Sequence, residues 1–418
     1  MKIQSIANTA FMAHYINVDI GASSINGSMK VRILDEQGKT IAYSNGAVFE
    51  NGSVRNENLF EKNVAENIAR CIQTNKAEIL KRDSDYEGYL TVCYPGPKTK
   101  EGFKLSNFYY DDKRTHKFER AISDKNIDAL LANYNKDDVN IVSTRHANDM
   151  AGAASCILSK LQEEHPELLK EGEEILFLYP GGGLGSGIIS VDRGHIKIKP
   201  SEMQHVRNPK NYEESLETNV GVPTLIGNYA NFLQLTEEER SMIGNNAKVV
   251  TSIEEAQSNL PEYKITDLNN ASKKAIDLYL SSLAQLSAMH VCIANSKNIV
   301  LTGNTLNGVR EFINQNPMYQ ANEAFVKEGE EKFVAIYREL VYKELTGVGK
   351  KILGDPLDLK VTCIRIKDNT EGAQLLQSCE EIGEPAKWYN YICKPSEKAT
   401  AALDDMKAGS ALCLYKSS

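Results

Sequence analysis

The stretch that decides the fold is YPGGGLGSGI, residues 179–188, in which five glycines occupy seven consecutive positions. It directly follows part of the apolar run EILFLY (174–179) and directly precedes ISVDRG (189–194). A turn made mostly of glycine between two strands brings backbone N–H groups together. Because glycine has no Cβ atom, an anion can approach these N–H groups closely. The stretch therefore predicts a phosphate-binding turn, and a tight hairpin that merely needs glycine is the alternative interpretation.

A second turn of related chemistry lies near the N-terminus. The sequence VDIGASSINGSM (18–29) places Gly21, Ser23 and Ser24 after a β-rich strand that carries Asp19 near its end. A carboxylate beside a hydroxyl-rich turn can hold a hydrated Mg²⁺ against phosphate oxygens. Two such turns in corresponding places favour a nucleotide ligand.

Composition limits the class of protein. A chain of 418 residues with 41% hydrophobic content can bury two ordinary cores. Its net charge of -8 argues against a nucleic-acid partner, which usually requires a clustered basic surface. The eight cysteines are scattered without a CxxC pair, and no unbroken apolar stretch reaches about 18 residues. We therefore expect a cytoplasmic protein with reduced thiols and no membrane partner.

Hydrophobic periodicity predicts an α/β protein. Three strands of a meander come first, then a helix at about residues 59–81, a strand stopped by Pro95, and a strand and helix that meet at "HAND". The second half repeats this order. It begins with a hairpin around the glycine turn and a helix over about 265–295. The strand NIVLTG (298–303), helices within 307–345, the strand LKVTCIRI (359–366) and a helix that starts near Thr370 follow. The repeated order indicates two similar lobes that face each other across a cleft.

We divide the chain into an N-terminal lobe, residues 1–145, and a C-terminal lobe, residues 146–418. Polar, weakly periodic segments at 236–264 and 383–418 are interpreted as an insertion and a tail, and the sequence does not indicate their role.

Several motifs, taken together, resemble the ROK group of sugar kinases and repressors, within the sugar kinase, actin and heat-shock chaperone superfamily. DIGASS (19–24) is similar to the group's DIGGTK, HANDMAGAAS (146–155) to its ENDANAAAL, and GGGLGSGII (181–189) to its GTGLGGGII. Further similar segments follow the family's order: YPGPKTKEGFKLSNF (94–108), PSEMQHV (200–206), SLETNVG (215–221), NIVLTGNTL (298–306) and DNTEGAQLL (368–376). The resemblance covers residue 17 to about 380 and implies two ribonuclease-H-like, actin-like ATPase lobes flanking a cleft.

The resemblance also implies an activity and a site. It implies a kinase that phosphorylates a hexose or amino-hexose with ATP and Mg²⁺, in which Asp149 is the general base and Asp19 acts on Mg²⁺ through water. The residues implied to bind the sugar are Asn107, Asn148, Glu202, His205 and Glu217. Those implied to hold the nucleotide are Asp19, Gly21, Ser23, Gly181, Gly182, Gly183 and Gly185 at the phosphates, with Gly303 and Asn304 at the adenosine.

Ordinary structural roles compete with some of these assignments. Asp149 opens a predicted helix, where an N-terminal cap explains an aspartate without catalysis. His205 alone fits a structural or surface histidine, and Glu202 and Glu217 alone are acidic residues in an acidic chain. His195 offers a second "GH" pair, but its neighbours fit a hairpin better than the substrate segment.

Departures from the family pattern leave alternatives open. The segment HVRNPKNYEESLE (205–217) has no cysteine where the family usually has a zinc-binding cluster, so no structural zinc is expected. Five residues differ from the family pattern: Ala22, Ser186 and Gln204 stand where the family has glycine, and Ser23 and Gly182 stand where it has threonine. We therefore retain two alternatives: a catalytically inactive sugar-binding relative and a kinase that uses polyphosphate.

Because the first strand begins by residue 15, we expect no helix-turn-helix and no DNA-binding repressor. The sequence does not identify the sugar, the hydroxyl that is phosphorylated or the oligomeric state, of which a homodimer is one form.

Overall fold

The structure is a computed structural model that describes residues 13–22, 26–34, 40–50, 55–77, 87–105, 108–111, 115–134, 140–192, 195–201, 207–208, 211–294, 296–366, 379–381 and 391–393. The chain divides into two compact units: unit 1 comprises Met1–Ser159 and Asp368–Ser418, and unit 2 comprises Lys160–Lys367. Each unit has a hydrophobic core of its own.

Unit 1 is built on a five-stranded sheet. Its strands, with a small hairpin β5–β6 outside the sheet, are β1 (Ala13–Gly21), β2 (Ser28–Leu34), β3 (Thr40–Ala47), β4 (Glu87–Tyr94), β5 (Lys98–Thr99), β6 (Gly102–Phe103) and β7 (Asn140–Asn148). β1, β2 and β3 form the predicted antiparallel meander, and β4 and β7 extend β1 in parallel. The order in the sheet is therefore β3-β2-β1-β4-β7.

Helices supply the rest of the first core. They are α1 (Phe60–Thr74), α2 (Asp124–Tyr134) and α3 (Asp149–Glu164). α1 buries Phe60, Val64 and Ile68, which recur every four residues and form one apolar stripe. α1 ends at Thr74, where the side-chain amide of Asn75 donates to the Cys71 carbonyl. Residues 76 and 77 are again helical, and the rest of the predicted helix, 78–81, lies outside the described residues. α2 has only two buried residues, which is why periodicity did not indicate it.

Unit 2 repeats the strand order of unit 1. Its strands are β8 (Glu174–Pro180), β9 (Leu184–Asp192), β10 (His195–Ser201), β11 (Arg207–Asn208), β12 (Asn211–Ser215), β13 (Asn298–Thr302) and β14 (Lys360–Ile364). β8, β9 and β10 are antiparallel, β13 and β14 are parallel to β8, and the order within the unit is β14-β13-β8-β9-β10. β11 and β12 pair with each other. Two later strands, β15 (Cys379–Glu381) and β16 (Tyr391–Cys393), also pair with each other.

Eight helices are described in unit 2. They are α4 (Val222–Leu233), α5 (Glu237–Ile243), α6 (Lys248–Thr251), α7 (Ile253–Asn259), α8 (Ile265–Ala294), α9 (Asn304–Gln315), α10 (Lys332–Glu344) and α11 (Gly347–Leu353). The 30-residue α8 matches the predicted long helix and packs against α4 and α10. Its buried Leu268, Ile276 and Leu283 belong to the core of the unit. The helix predicted to start near Thr370 lies outside the described residues.

The segment 236–264, interpreted from the sequence as a weakly periodic insertion, is helical and part of the second core. It contains α5, α6 and α7, and its Ile243, Val249 and Leu260 are buried in the core of unit 2. Thr236 caps α5 in a reciprocal pair with Glu239. Each helix is too short for a period to emerge over several turns, so the pattern was missed. Of the predicted tail, 383–418, only β16 is described.

The boundary between the units lies inside α3, between Ser159 and Lys160, whereas the sequence-based division separated residues 145 and 146. The start of α3 belongs with unit 1, where the charges of Asp149 and Cys156 act on Cys93 of β4. The predicted fold class is confirmed: each unit has three antiparallel strands followed by two parallel ones, in the ribonuclease-H-like order.

Candidate active site

Three parallel strands of unit 1 end at one edge of the sheet. Asp19 of β1 is in register with Cys93 of β4, and Cys93 is in register with Ala147 of β7. Two residues after Ala147 the chain reaches Asp149, the first residue of α3. The carboxyl ends of parallel strands are the usual place for ligands in such sheets. The fold therefore brings Asp19 and Asp149, the predicted metal and base carboxylates, to the same edge.

The buried thiol of Cys93 lies within electrostatic reach of both carboxylates. Burial is the main reason that the pKa of Cys93 is raised well above its ordinary value, and the negative charges of Asp19 and then Asp149 raise this pKa further. Arg145 acts in the opposite direction. Nearby charges shift a pKa in this way only over short distances. Asp19 and Asp149 thus lie close to one buried side chain at this edge of unit 1.

Asp19 combines partial burial with a loose ion pair. Its Oδ2 atom lies 3.9 Å from Nζ of Lys30, the residue opposite it on β2, and 13% of its side chain is exposed. Gly21 and Ala22, which follow, are half-buried. Ser23, predicted to contact phosphate, lies outside the described residues.

Asn148 is a structural cap as well as a predicted sugar contact. Its Oδ1 atom accepts the backbone N–H of Met150 at 2.8 Å, and its Nδ2 atom donates to the Gly96 carbonyl at 2.8 Å. The first bond satisfies an N–H at the start of α3, and the second ties β7 to the turn after β4. The side chain is 4% exposed, so one of its two amide protons and one acceptor position are left for any ligand.

A buried hydrogen-bond chain adjoins this edge, and sequence analysis missed it. His146 Nδ1 lies 2.8 Å from the hydroxyl of Tyr94, and His146 Nε2 lies 2.8 Å from Oδ1 of Asp128. The Tyr94 ring stacks on His146 and on Phe103. A buried histidine requires partners. His146 in the "HAND" motif was the only available signal, because Asp128 belongs to the helix that the pattern did not reveal.

The glycine turn of unit 2 keeps backbone donors available. The N–H of Gly181 donates to the Gly183 carbonyl at 2.7 Å, and the Gly181 carbonyl accepts from Val222 at the start of α4 at 2.9 Å. Within the described part of the chain, the N–H groups of Gly182 and Gly183 have no acceptor. Two unengaged amides on a turn without Cβ atoms can both donate to one phosphate oxygen between them.

Gly303 brings the predicted adenosine residues to the glycine turn. Its φ angle is +111°, and a Cβ atom there would lie 2.8 Å from Cδ2 of Tyr179 and 2.9 Å from the carbonyl oxygen of Pro180. Only glycine allows this conformation together with this close approach. Asn304, the next residue, is exposed at the start of α9. Tyr179 is also in register with Gly185, so the nucleotide-side residues predicted in unit 2 form one group.

Two buried polar atoms next to this group have no hydrogen-bond partner within the described ranges. They are Oγ1 of Thr302, the last residue of β13, and Nδ2 of Asn307 in the first turns of α9. Unpartnered buried polar atoms are uncommon and are often satisfied by ordered water.

Four predicted sugar-site residues cannot be compared with the geometry. Asn107, Glu202 and His205 lie outside the described residues. Glu217 lies in the short 3-10 helix Leu216–Asn219, and its side chain is not described.

Among the described residues, no three or more His, Cys, Asp or Glu side chains form a group able to hold a metal ion. A metal that keeps most of its water ligands needs only one or two carboxylates from the protein. In the same ranges, no helix has both the length and the apolar character needed to cross a membrane.

No protein-family model matches the sequence, and no curated protein matches it. Solved structures do resemble the model. The glucokinase from Balamuthia mandrillaris in complex with glucose has a TM-score of 0.56 and 15% identity, covering 88% of this chain and 93% of that chain. A protein from Cytophaga hutchinsonii assigned as a sugar kinase has a TM-score of 0.51 and 14% identity, covering 86% and 98%. A ROK family transcriptional regulator, a homologue of the E. coli Mlc protein, has a TM-score of 0.53 and 10% identity, covering 86% and 77%. The protein therefore has the fold that these kinases and this ROK regulator share.

Proposed function

We propose that the protein is a sugar kinase of the ROK type that transfers the γ-phosphoryl group of ATP to a hydroxyl of a hexose or amino-hexose. The observation that carries the proposal is the pair of carboxylates, Asp19 and Asp149, at one edge of unit 1 around Cys93. The shared fold with a glucokinase and the unengaged amides of the glycine turn support it.

Asp149 is the proposed general base. As the sugar oxygen attacks the γ-phosphorus, its proton passes to an Asp149 carboxylate oxygen, the new O–P bond forms, and the bond from the γ-phosphorus to the bridging oxygen of ADP breaks. Phosphoryl transfer requires little covalent chemistry from the protein, so positioning and charge stabilisation contribute most of the rate. The start of a helix interacts favourably with a negative charge such as that of a carboxylate.

The proposed nucleotide contacts follow the chemistry of each turn. The N–H groups of Gly182 and Gly183 donate to phosphate oxygens, while Gly21 and Ser23 contribute the corresponding turn of unit 1. Gly303 and Asn304 border the adenosine. Asp19 fits a water-mediated Mg²⁺, because its carboxylate is 13% exposed at the edge of the sheet that it shares with Asp149. When bound, Mg²⁺ neutralises charge on the phosphates.

The proposed sugar contacts are Asn107, Asn148, Glu202, His205 and Glu217. A polyol needs several paired donors and acceptors, which these side chains offer. The proposed enzyme acts in the cytoplasm without structural zinc, and its oligomeric state is open to measurement.

A non-catalytic sugar-binding regulator is the second candidate, and one observation favours it: the ROK regulator shares the fold with a TM-score of 0.53. The replacement of a threonine of the family pattern by Gly182 also removes a hydroxyl from the phosphate turn.

A phosphorylation screen separates the candidates. Purified protein is assayed with hexoses and N-acetylhexosamines, each with Mg-ATP and with polyphosphate, and sugar binding is measured in parallel by calorimetry. Turnover that Asp149→Asn abolishes supports the kinase, and the donor that gives turnover identifies the phosphoryl source. Sugar binding without turnover for any pair would reject the kinase in favour of the regulator.

A further inference from the structure

A cavity of about 390 Å³ opens in unit 2 where β8, β13 and β14 begin. Three lysines, Lys297, Lys327 and Lys360, contribute to its lining. The glycine turn and Gly303 follow the opposite ends of β8 and β13. Since β13 has five residues, the two ends of the sheet lie about 17 Å apart. The cavity is therefore separate from the candidate nucleotide residues.

The cavity has more positive than negative charge. Nζ of Lys297 donates to Oδ2 of Asp358 at 2.9 Å, and this bond is the main reason that the pKa of Asp358 is lowered; Lys327 and Lys360 lower it further. The ammonium groups of Lys327 and Lys360 act on Asp358 through their charge, and Lys327 also acts on Glu330. The other lining carboxylate, Glu173, accepts from Nδ2 of Asn298 at 2.7 Å. Three ammonium groups thus face two carboxylates.

A buried arginine fixes the segments that carry these lysines. Arg338 of α10 is 0% exposed and forms a two-pronged ion pair with Glu330, which neutralises that carboxylate near Lys327. Its Nη1 atom also donates to the Phe325 carbonyl at 2.6 Å and its Nε atom to the Leu359 carbonyl at 2.9 Å. These two carbonyls lie two residues before Lys327 and one residue before Lys360.

The third lysine is fixed by the sheet. The backbone N–H of Lys360 donates to the carbonyl of Lys297 at 2.8 Å, next to the pairing of β13 with β14. The backbone positions of all three lysines are therefore established before any ligand arrives. Such preorganisation reduces the entropy that binding costs.

We propose that this cavity is a binding site for a phosphate dianion, either free phosphate or the phosphate group of a small monoester. Lys327 and Lys360 supply ammonium groups in addition to the Lys297–Asp358 ion pair, and lysine binds phosphate as a point charge without demanding one orientation. The volume accommodates a phosphorylated sugar as well as phosphate alone. This site is independent of the proposed kinase activity.

Calorimetry of the full chain with inorganic phosphate and, separately, with glucose 6-phosphate tests the proposal. The variant Lys327→Gln/Lys360→Gln should weaken binding about tenfold or more, because it removes two of the three ammonium groups and leaves the two carboxylates in excess. The matched control Lys264→Gln/Lys351→Gln loses the same net charge from exposed lysines outside the cavity and should bind as the unmodified protein does. Asp358→Asn should tighten binding, since it removes a competing carboxylate. Melting curves confirm that each variant is folded.

Hydrogen exchange locates the bound anion. Protection on phosphate binding in peptides that contain Lys327 and Lys360 supports the site, and tighter binding of glucose 6-phosphate than of phosphate would identify a phosphorylated sugar as the preferred source. Equal affinities would identify the phosphate group alone as the recognised element. Unchanged binding in the double variant, an equal loss in the control, or protection confined to the glycine turn would overturn the proposal.

Discussion

Asn148 caps the helix that Asp149 begins, because its side-chain oxygen accepts a 2.8 Å hydrogen bond from the backbone N–H of Met150. The structural role that would explain an aspartate at this position without catalysis is therefore filled by its neighbour. Asp149 stands one residue inside α3, where its charge interacts favourably with the helix dipole.

Asp149→Asn should lower turnover by about two to four decades, the usual contribution of a positioned base, while the sugar dissociation constant changes much less. Loss of one charge at a helix start should cost at most about 1 kcal/mol of stability. Steady-state rates at saturating donor, sugar calorimetry and a melting curve check this. Asn148→Ala is the matched control and should lower stability by about 1 kcal/mol or more through the lost cap. Near-normal turnover in folded Asp149→Asn would remove Asp149 from the mechanism.

Gly183→Val should weaken nucleotide binding much more than sugar binding, because a branched side chain obstructs an anion approaching the free amides of the turn. Gly187→Ala provides the contrast. A Cβ atom there would lie 2.5 Å from the Phe177 ring and 2.8 Å from the Lys199 carbonyl, so this variant should lose stability. Titrations with ATP analogue and with sugar, beside melting curves, distinguish them. Equal loss of both ligands in Gly183→Val would indicate a purely structural hairpin.

His290 of α8 should make the protein less stable in acid. Burial lowers the pKa of His290 to about 4 from an ordinary value of 6.5, so the unfolded state binds the proton more tightly. Stability is therefore full above pH 6.5 and falls as the pH drops towards 4, by about 3 kcal/mol in total. Urea unfolding from pH 7 to 4 measures the slope. His290→Leu should flatten it, whereas His165→Gln, at a half-buried position, should not; an unchanged slope in His290→Leu would contradict this explanation.

Arg338→Met should destabilise unit 2 by about 3–5 kcal/mol, because it leaves Glu330 and two backbone carbonyls without their buried donor. The control is Arg310→Met, which breaks the ion pair with Glu331 at the surface and should cost about 1 kcal/mol or less. Denaturant midpoints of both variants give the comparison. Equal small losses would mean that Arg338 is not a structural link.

Purified protein should contain well under one zinc per chain and should not unfold on treatment with a chelator, since residues 205–217 contain no cysteine. Elemental analysis and a melting curve in EDTA measure this. About one tightly held zinc per chain would refute the expectation.

The sequence was most informative where a strand with a clear hydrophobic pattern ended at a proline or a glycine. Pro95 and the glycines after Pro180 marked strand ends correctly, and the long apolar pattern of α8 was unambiguous. Short helices such as α6 were missed, because four residues cannot display a helical period.

For the site, local pattern predicted which residues follow which strands, and the parallel order then brought Asp19 and Asp149 to one edge. Contacts between distant segments could not be foreseen. The spacing of residues along the sequence does not reveal the bond from Asp128 to His146. It does not reveal that Arg338 lies between the Phe325 and Leu359 carbonyls either. The capping role of Asn148 was obscured because its neighbour is also a good capping residue.

The strand order of unit 2 has a consequence for synthesis of the chain. Ile175 of β8 pairs with Ile189 of β9 within one hairpin, but on its other side it pairs with Asn298, 123 positions later. A nascent chain that ends before β13 exposes an unpaired edge of β8, whose residues 175–178 are apolar and buried in the final fold. Closing so long a loop is slow, and unpaired apolar edges promote aggregation. Truncation before β13 should therefore yield an insoluble polypeptide rather than a smaller functional domain.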